Sequence, residues 1–124
     1  MFNFSDIIYY VLFLFNSRHD NYKLFAERVT DKEAPDYSSV VTNPMDFATM
    51  RTKITEMTYG TGSEALSAFY HDFLLTMDNC GLYNDKESDV GKEAGRLMAL
   101  LPEVFAASCL AVGDKKRKTK KKII

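Results

Sequence analysis

The sequence predicts an all-α protein, and three observations carry that expectation. Apolar residues recur at helical spacing through residues 63–83, at Leu66, Phe69, Tyr70, Phe73, Leu74, Met77, Leu82 and Tyr83. The same period returns at Val90, Ala94, Leu97, Leu101, Val104 and Phe105. Composition agrees: of 124 residues 46% are hydrophobic, while three prolines and six glycines leave room for long helices. A chain of this length fits one domain with a single core.

Taken in order, residues 5–22 read as a first helix, with Ser5 as N-cap, Asp6 in the first turn and burial on more than one side. Its apolar run 7–15 is not a signal-peptide core, because Asp6 directly precedes it, no basic residues lead into it and no small-residue cleavage site follows. Nine apolar residues also fall short of the ~20 that span a bilayer. Periodicity then fades over 23–43, and a loop of about twenty residues in a compact domain is usually functional. Asn43-Pro44 forces extended geometry and ends that loop. Asp46 caps a short helix to about Met57, with Phe47, Met50, Ile54 and Met57 on one inward face.

Tyr59-Gly60-Thr61-Gly62 is a turn that lacks the Lys and the length of a phosphate loop. Ser63 caps the third helix, 63–83, and residues 84–87 link it to a fourth, capped by Ser88 and Asp89. In that last helix Gly91 and Gly95 share a face, each at a cost of up to ~1 kcal/mol against Ala, which close packing or space beside a pocket would offset. Pro102 is expected to kink or restart the helix, and Gly113 to stop it near Val112. The domain therefore spans 1–113, followed by a disordered basic tail, 114–124.

Three short motifs narrow this outline. Pro35-Asp36-Tyr37, then Pro44-Met45-Asp46-Phe47 opening a helix, then Tyr83-Asn84 closing one, match in type, order and spacing the pattern of the bromodomain family, and the chain resembles that family from about Phe25 to Cys109. The resemblance implies a left-handed four-helix bundle with a long loop between the first two main helices, and a pocket that binds acetylated lysine. By the same resemblance Asn84 donates to the acetyl carbonyl, Tyr37 reaches it through water, and Phe25 and Val29 line the pocket wall. Val90, six residues after Asn84, falls at the gatekeeper position, and Tyr83 supports the Asn. Read alone, Asn84 fits a helix terminator in left-handed geometry better than a binding residue, and Phe25 and Val29 are ordinary loop anchors. The Trp-Pro-Phe shelf of one subgroup falls at Lys23-Leu24-Phe25, where only the Phe is kept.

Charge is divided along the chain. Residues 115–122 hold seven of the sixteen basic residues, which leaves nine basic against seventeen acidic in 1–114, a balance of −8. Such a surface suits a basic peptide, such as an acetylated histone tail, and excludes unaided binding to nucleic acid outside the tail. Cys80 and Cys109 are too few for a disulfide framework or a zinc site and read as buried small side chains. His71 beside Asp72 reads as a solvated face, since helical neighbours diverge by about 100°. With no nucleophile and base arrangement, metal cluster or cofactor motif, the expectation is a monomeric nuclear reader, neither enzyme nor membrane protein, serving a chromatin complex. The competing reading is a helical scaffold with a vestigial pocket and a tail that binds nucleic acid or an acidic partner.

Overall fold

The computed structural model describes residues 3–123, with side chains as far as Lys115. Helix α1, Phe4–Leu14, runs into one π-helical turn, Phe15–His19. A long connection, residues 20–46, carries only the short helix α2, Tyr37–Val40. Helices α3, Phe47–Thr55, α4, Glu64–Tyr83, and α5, Asp89–Ile123, follow, and α1, α3, α4 and α5 form the four-helix bundle. Every described element is helical, as the periodicity requires.

The ends of these helices correct several expectations. Asn3, not Ser5, caps α1: its side chain accepts from Ser5 N at 2.8 Å, and Ser5 is buried with its hydroxyl toward Met57 Sδ. The first helix stops at His19 instead of Tyr22, because Asp20 leaves helical geometry and its carboxylate accepts the amides of Leu24 and Phe25, both at 2.9 Å. Asp46 caps α3 as read, accepting from Thr49 N at 2.9 Å and Thr49 Oγ1 at 2.6 Å. Ser63 does not cap α4 through its side chain; Glu64 accepts from Gly62 N at 3.2 Å instead. Ser88 does cap α5, its hydroxyl accepting from Gly91 N at 3.1 Å.

Helix α5 passes through Pro102 and Gly113 without stopping. One glycine among Ala, Val, Lys and Arg costs only ~1 kcal/mol, too little to end a helix with no breaker beyond it. The tail expected to be disordered from residue 114 is helical over Asp114 and Lys115, and the side chains beyond Lys115, which carry most of the basic run, lie outside the described residues. By length and composition the stretch Asp89–Lys115 would be sufficient to cross a membrane. In the bundle its Ala94, Leu97, Val104, Ser108 and Val112 face the core.

The core is built around aromatic rings. Phe73 of α4 lies 4.7 Å from Phe15 and 6.2 Å from Phe47, and Phe25 of the long connection joins the cluster 6.0 Å from Phe47. Asp72 is corrected from a solvated residue to a buried one, while His71 remains exposed. The Asp72 carboxylate accepts from Tyr59 OH and Lys53 Nζ, each at 2.6 Å, and Lys53 lies over the Tyr59 ring. Burial and this carboxylate hold the Tyr59 phenol well above its ordinary pKa. The triad pins the turn after α3 to α4. Asp72→Ala strands the buried Tyr59 hydroxyl, and urea unfolding should show a loss on the order of 2–3 kcal/mol, with Asp72→Asn losing less.

Candidate ligand-binding cavity

At one end of the bundle a cavity of about 290 Å³ opens between the long connection and the junction of α4 with α5. All six residues singled out in the sequence line it: Phe25, Val29, Tyr37, Tyr83, Asn84 and Val90. They come from separate segments. Phe25 and Val29 stand on the connection, Tyr37 opens α2, Tyr83 ends α4, Asn84 follows it, and Val90 lies in the first turn of α5. Met45 of the Pro-Met-Asp-Phe motif, Leu24, Thr76 and Cys80 complete the apolar walls.

Asn84 is extended, with φ −107° and ψ 144°, so left-handed helix termination does not explain an Asn here. Its backbone N–H closes the last turn of α4 on Cys80 O at 2.8 Å. The side-chain Nδ2 donates to the same oxygen at 3.3 Å and approaches Cys80 Sγ at 3.9 Å. A carboxamide carries two N–H donors, and here both contacts are long ones to Cys80, at 3.3 Å and 3.9 Å. Cys80 stays a thiol: burial raises its pKa, and the bond from Asn84 offsets this only in part. A raised thiol pKa fits the inert packing role read from the sequence.

Tyr83 links the two walls. Its hydroxyl donates to Pro35 O at 2.9 Å, and its ring lies 5.2 Å from that of Tyr37. Tyr37 is buried, and desolvation, with Cys80 second, raises its phenol pKa, so it remains a neutral hydroxyl. Phe25 is both a core anchor and a cavity wall, so its two readings hold together. Val90 is half-buried, packs on the edge of the core, and accepts the Cys80 thiol contact through its carbonyl at 3.6 Å.

Sequence reasoning missed the polar residues that hold the connection in place. Asp20 ties down its start, and buried Asn79 donates through Nδ2 to Asn43 O at 2.7 Å, just before Pro44. Asp31 accepts from Ser38 N at 2.8 Å and Ser38 Oγ at 2.7 Å, folding the middle of the connection on itself. A signal did exist for Asn79: with Thr76 it interrupts the otherwise apolar face of α4 formed by Phe73, Met77 and Cys80.

The two glycines of α5 differ. A Cβ on Gly91 would fall 2.3 Å from Asp85 O and 2.8 Å from Lys86 Cα, so the loop that follows Asn84 lies directly on it. Nothing comes within 4 Å of the same atom on Gly95, which corrects the expectation of close packing there. Gly91→Ala must therefore push that loop away. We expect about 1–3 kcal/mol of destabilisation in thermal or urea melts, whereas Gly95→Ala should be neutral or stabilising.

Comparison with known proteins gives a consistent result. The family model described as Bromodomain matches residues 12–96. Bromodomain-containing protein 9 of Danio rerio is 37% identical over 97 residues, which is 78% of this chain and 15% of that protein. Bromodomain and PHD finger-containing protein 3 of Mus musculus is 41% identical over 81 residues, 65% of this chain and 6% of that protein. The chain thus spans only a small part of these relatives. Among solved structures, a Trypanosoma brucei bromodomain in complex with bromosporine superposes with a TM-score of 0.72 at 26% identity, covering 86% of this chain and 88% of that one.

Proposed function

The chain belongs to the bromodomain family, and from that premise we propose that its cavity binds acetylated lysine on histone tails, with Asn84 as the residue that recognises the acetyl group. The observation that supports this reading most is the convergence of Asn84, Tyr37, Tyr83, Phe25, Val29 and Val90 on one cavity, with an uncharged carboxamide at its wall. An acetylated lysine offers a neutral carbonyl that needs a donor and a methyl that needs apolar surroundings. Asn84 supplies the donor, and Val29, Phe25, Met45 and Val90 supply the surroundings. Swinging Nδ2 from Cys80 O to the ligand costs little, because that oxygen keeps the Asn84 backbone N–H at 2.8 Å. Tyr37 reaches the same carbonyl through a water, a contact nearly as favourable as a direct one.

Discrimination against unmodified lysine follows from desolvation. Burying an ammonium that is not paired with a charge costs several kcal/mol, and at the recognition position the chain presents a neutral carboxamide and not a carboxylate. The work is binding and not catalysis. In this reading the domain targets a nuclear, chromatin-associated assembly, and the basic run 115–122 serves as an import signal or a phosphate-binding arm. The scaffold reading gives no reason for an extended Asn84 to share a cavity with Tyr37 and Val90.

Two substitutions test the site. Asn84→Ala should keep the fold, since the backbone bond to Cys80 O remains, and weaken an acetyl-lysine peptide at least several-fold by calorimetric titration, from a lost bond worth ~1 kcal/mol or more. Unchanged affinity would remove Asn84 from the site. Val90→Phe adds bulk at the mouth and should lower affinity more than it lowers the melting temperature, while Val90→Ala should have the smaller effect. Stability losses with unchanged affinity per folded molecule would make Val90 a core residue only.

A further inference from the structure

Among the described residues one buried side-chain polar atom has no hydrogen-bond partner, the Oδ1 of Asn16. Such orphans are rare, and each costs stability that a ligand or a water can restore. Asn16 stands in the π-helical turn that follows α1, a kind of turn frequent at functional sites. Its side chain lines a hollow of about 150 Å³ between α1, the connection and α3, walled by the half-exposed rings of Tyr9 and Phe13 and by buried Phe47. Two charged residues border this hollow, Glu27 and Arg51, which are exposed and opposite in sign. Among the neighbouring cations, Lys23 donates to the backbone oxygen of Asn16, Arg28 borders a separate hollow behind Val29 and Tyr37, and Lys53 pairs with Asp72.

We propose that this hollow is a second subsite, which takes the neutral carboxamide of a glutamine carried by the same peptide whose acetylated lysine occupies the main cavity. The subsite rests on the acetyl-lysine reading and adds a second anchor point to it. Glu27 borders both the cavity and the hollow, so a peptide that leaves the cavity past Glu27 reaches the hollow. A glutamine carboxamide carries two N–H donors and a carbonyl acceptor, and the hollow offers acceptors at Asn16 and Glu27 and donors at Asn16 and Arg51. The last torsion of Asn16 is two-fold, so a half-turn exchanges Oδ1 with Nδ2 and lets either atom meet the ligand. An acidic or basic side chain would be attracted by one of the two charged neighbours and repelled by the other. The hollow has about half the volume of the main cavity, about 150 against 290 Å³, which suits a side chain shorter than acetylated lysine. Tyr9 and Phe13 give the two glutamine methylenes an apolar surface.

The test is calorimetric titration of the whole chain with acetyl-lysine peptides of otherwise alanine-rich sequence, in which one glutamine is moved through the positions on both sides of the acetylated residue. At one position glutamine should tighten binding about five-fold over alanine, whereas glutamate or lysine there should not. Asn16→Leu should abolish that gain and still bind the glutamine-free peptide as the wild type does. The same variant should melt about 2–6 °C higher, because it removes a buried acceptor that no donor meets in the free protein. Asn16→Ala, too small to overfill the site, should abolish the gain in the same way. No gain at any position, a larger gain from glutamate or lysine than from glutamine, or a gain that survives in both variants overturns the subsite and leaves acetyl-lysine binding standing. Lower melting temperatures in both variants, with affinity lost equally for every peptide, would make Asn16 a structural residue only and overturn it as well. Failure of the folded wild type to bind any of the acetylated peptides overturns the acetyl-lysine reading, and the subsite with it.

Discussion

A long connection can form one wall of a binding cavity only if its backbone groups are satisfied and its ends are fixed, because a buried unpaired amide or carbonyl costs about as much as a lost hydrogen bond. Residues 20–46 meet this constraint with side chains in place of secondary structure. Asp20 takes two amides at the start, Asn79 donates to Asn43 O near the end, and Phe25 inserts among the core aromatics. At the middle, Tyr83 donates to Pro35 O from the last turn of α4. The cavity exists because these contacts hold the connection away from the junction of α4 with α5 without letting it collapse onto that junction.

The same contacts connect helix ends to recognition. Tyr83 and Asn84 are adjacent and both line the cavity, and Tyr83 also donates to Pro35 O of the connection while Asn84 is extended after the last helical residue. Gly91 lets the loop that follows Asn84 lie against the first turn of α5, where a Cβ would meet Asp85 O. The glycine in the helix thus permits the close approach of the loop between Asn84 and Val90. Stability and binding meet at this junction, and the Asp72, Lys53 and Tyr59 triad secures the turn after α3 separately.

Much of this was legible in the sequence, for identifiable reasons. Helices α3, α4 and α5 carry a clear helical period, and Asp46 and Ser88 have side chains whose capping geometry is local. Tyr37, Tyr83 and Asn84 stand in the motifs, Phe25 and Val29 were placed by the family resemblance and Val90 by its spacing from Asn84, and all six line one cavity. What stayed hidden depends on tertiary contact. Ser5 and Ser63 have the chemistry of a cap, but Asn3 caps α1 in place of Ser5, and α4 has no side-chain cap, Glu64 instead accepting from Gly62 N in the preceding turn. Asp72 looks like a surface acid until the chain brings Lys53 and Tyr59 to it, and no local pattern marks Asp20 as a buried acceptor for residues after it. Gly113 failed as a stop because a glycine lowers helix stability without forbidding the helix.

The account's central claim is that the Asn84 carboxamide leaves Cys80 O to bind the carbonyl of an acetylated lysine. The most direct measurement follows the Asn84 side-chain N–H resonances by NMR while an acetylated histone peptide, and then its unmodified counterpart, is added. The account predicts saturable shifts of those resonances, with the amides of Tyr37 and Val90 moving alongside, for the acetylated peptide only. Shifts that leave Asn84 unmoved, or that are the same for both peptides, would contradict it.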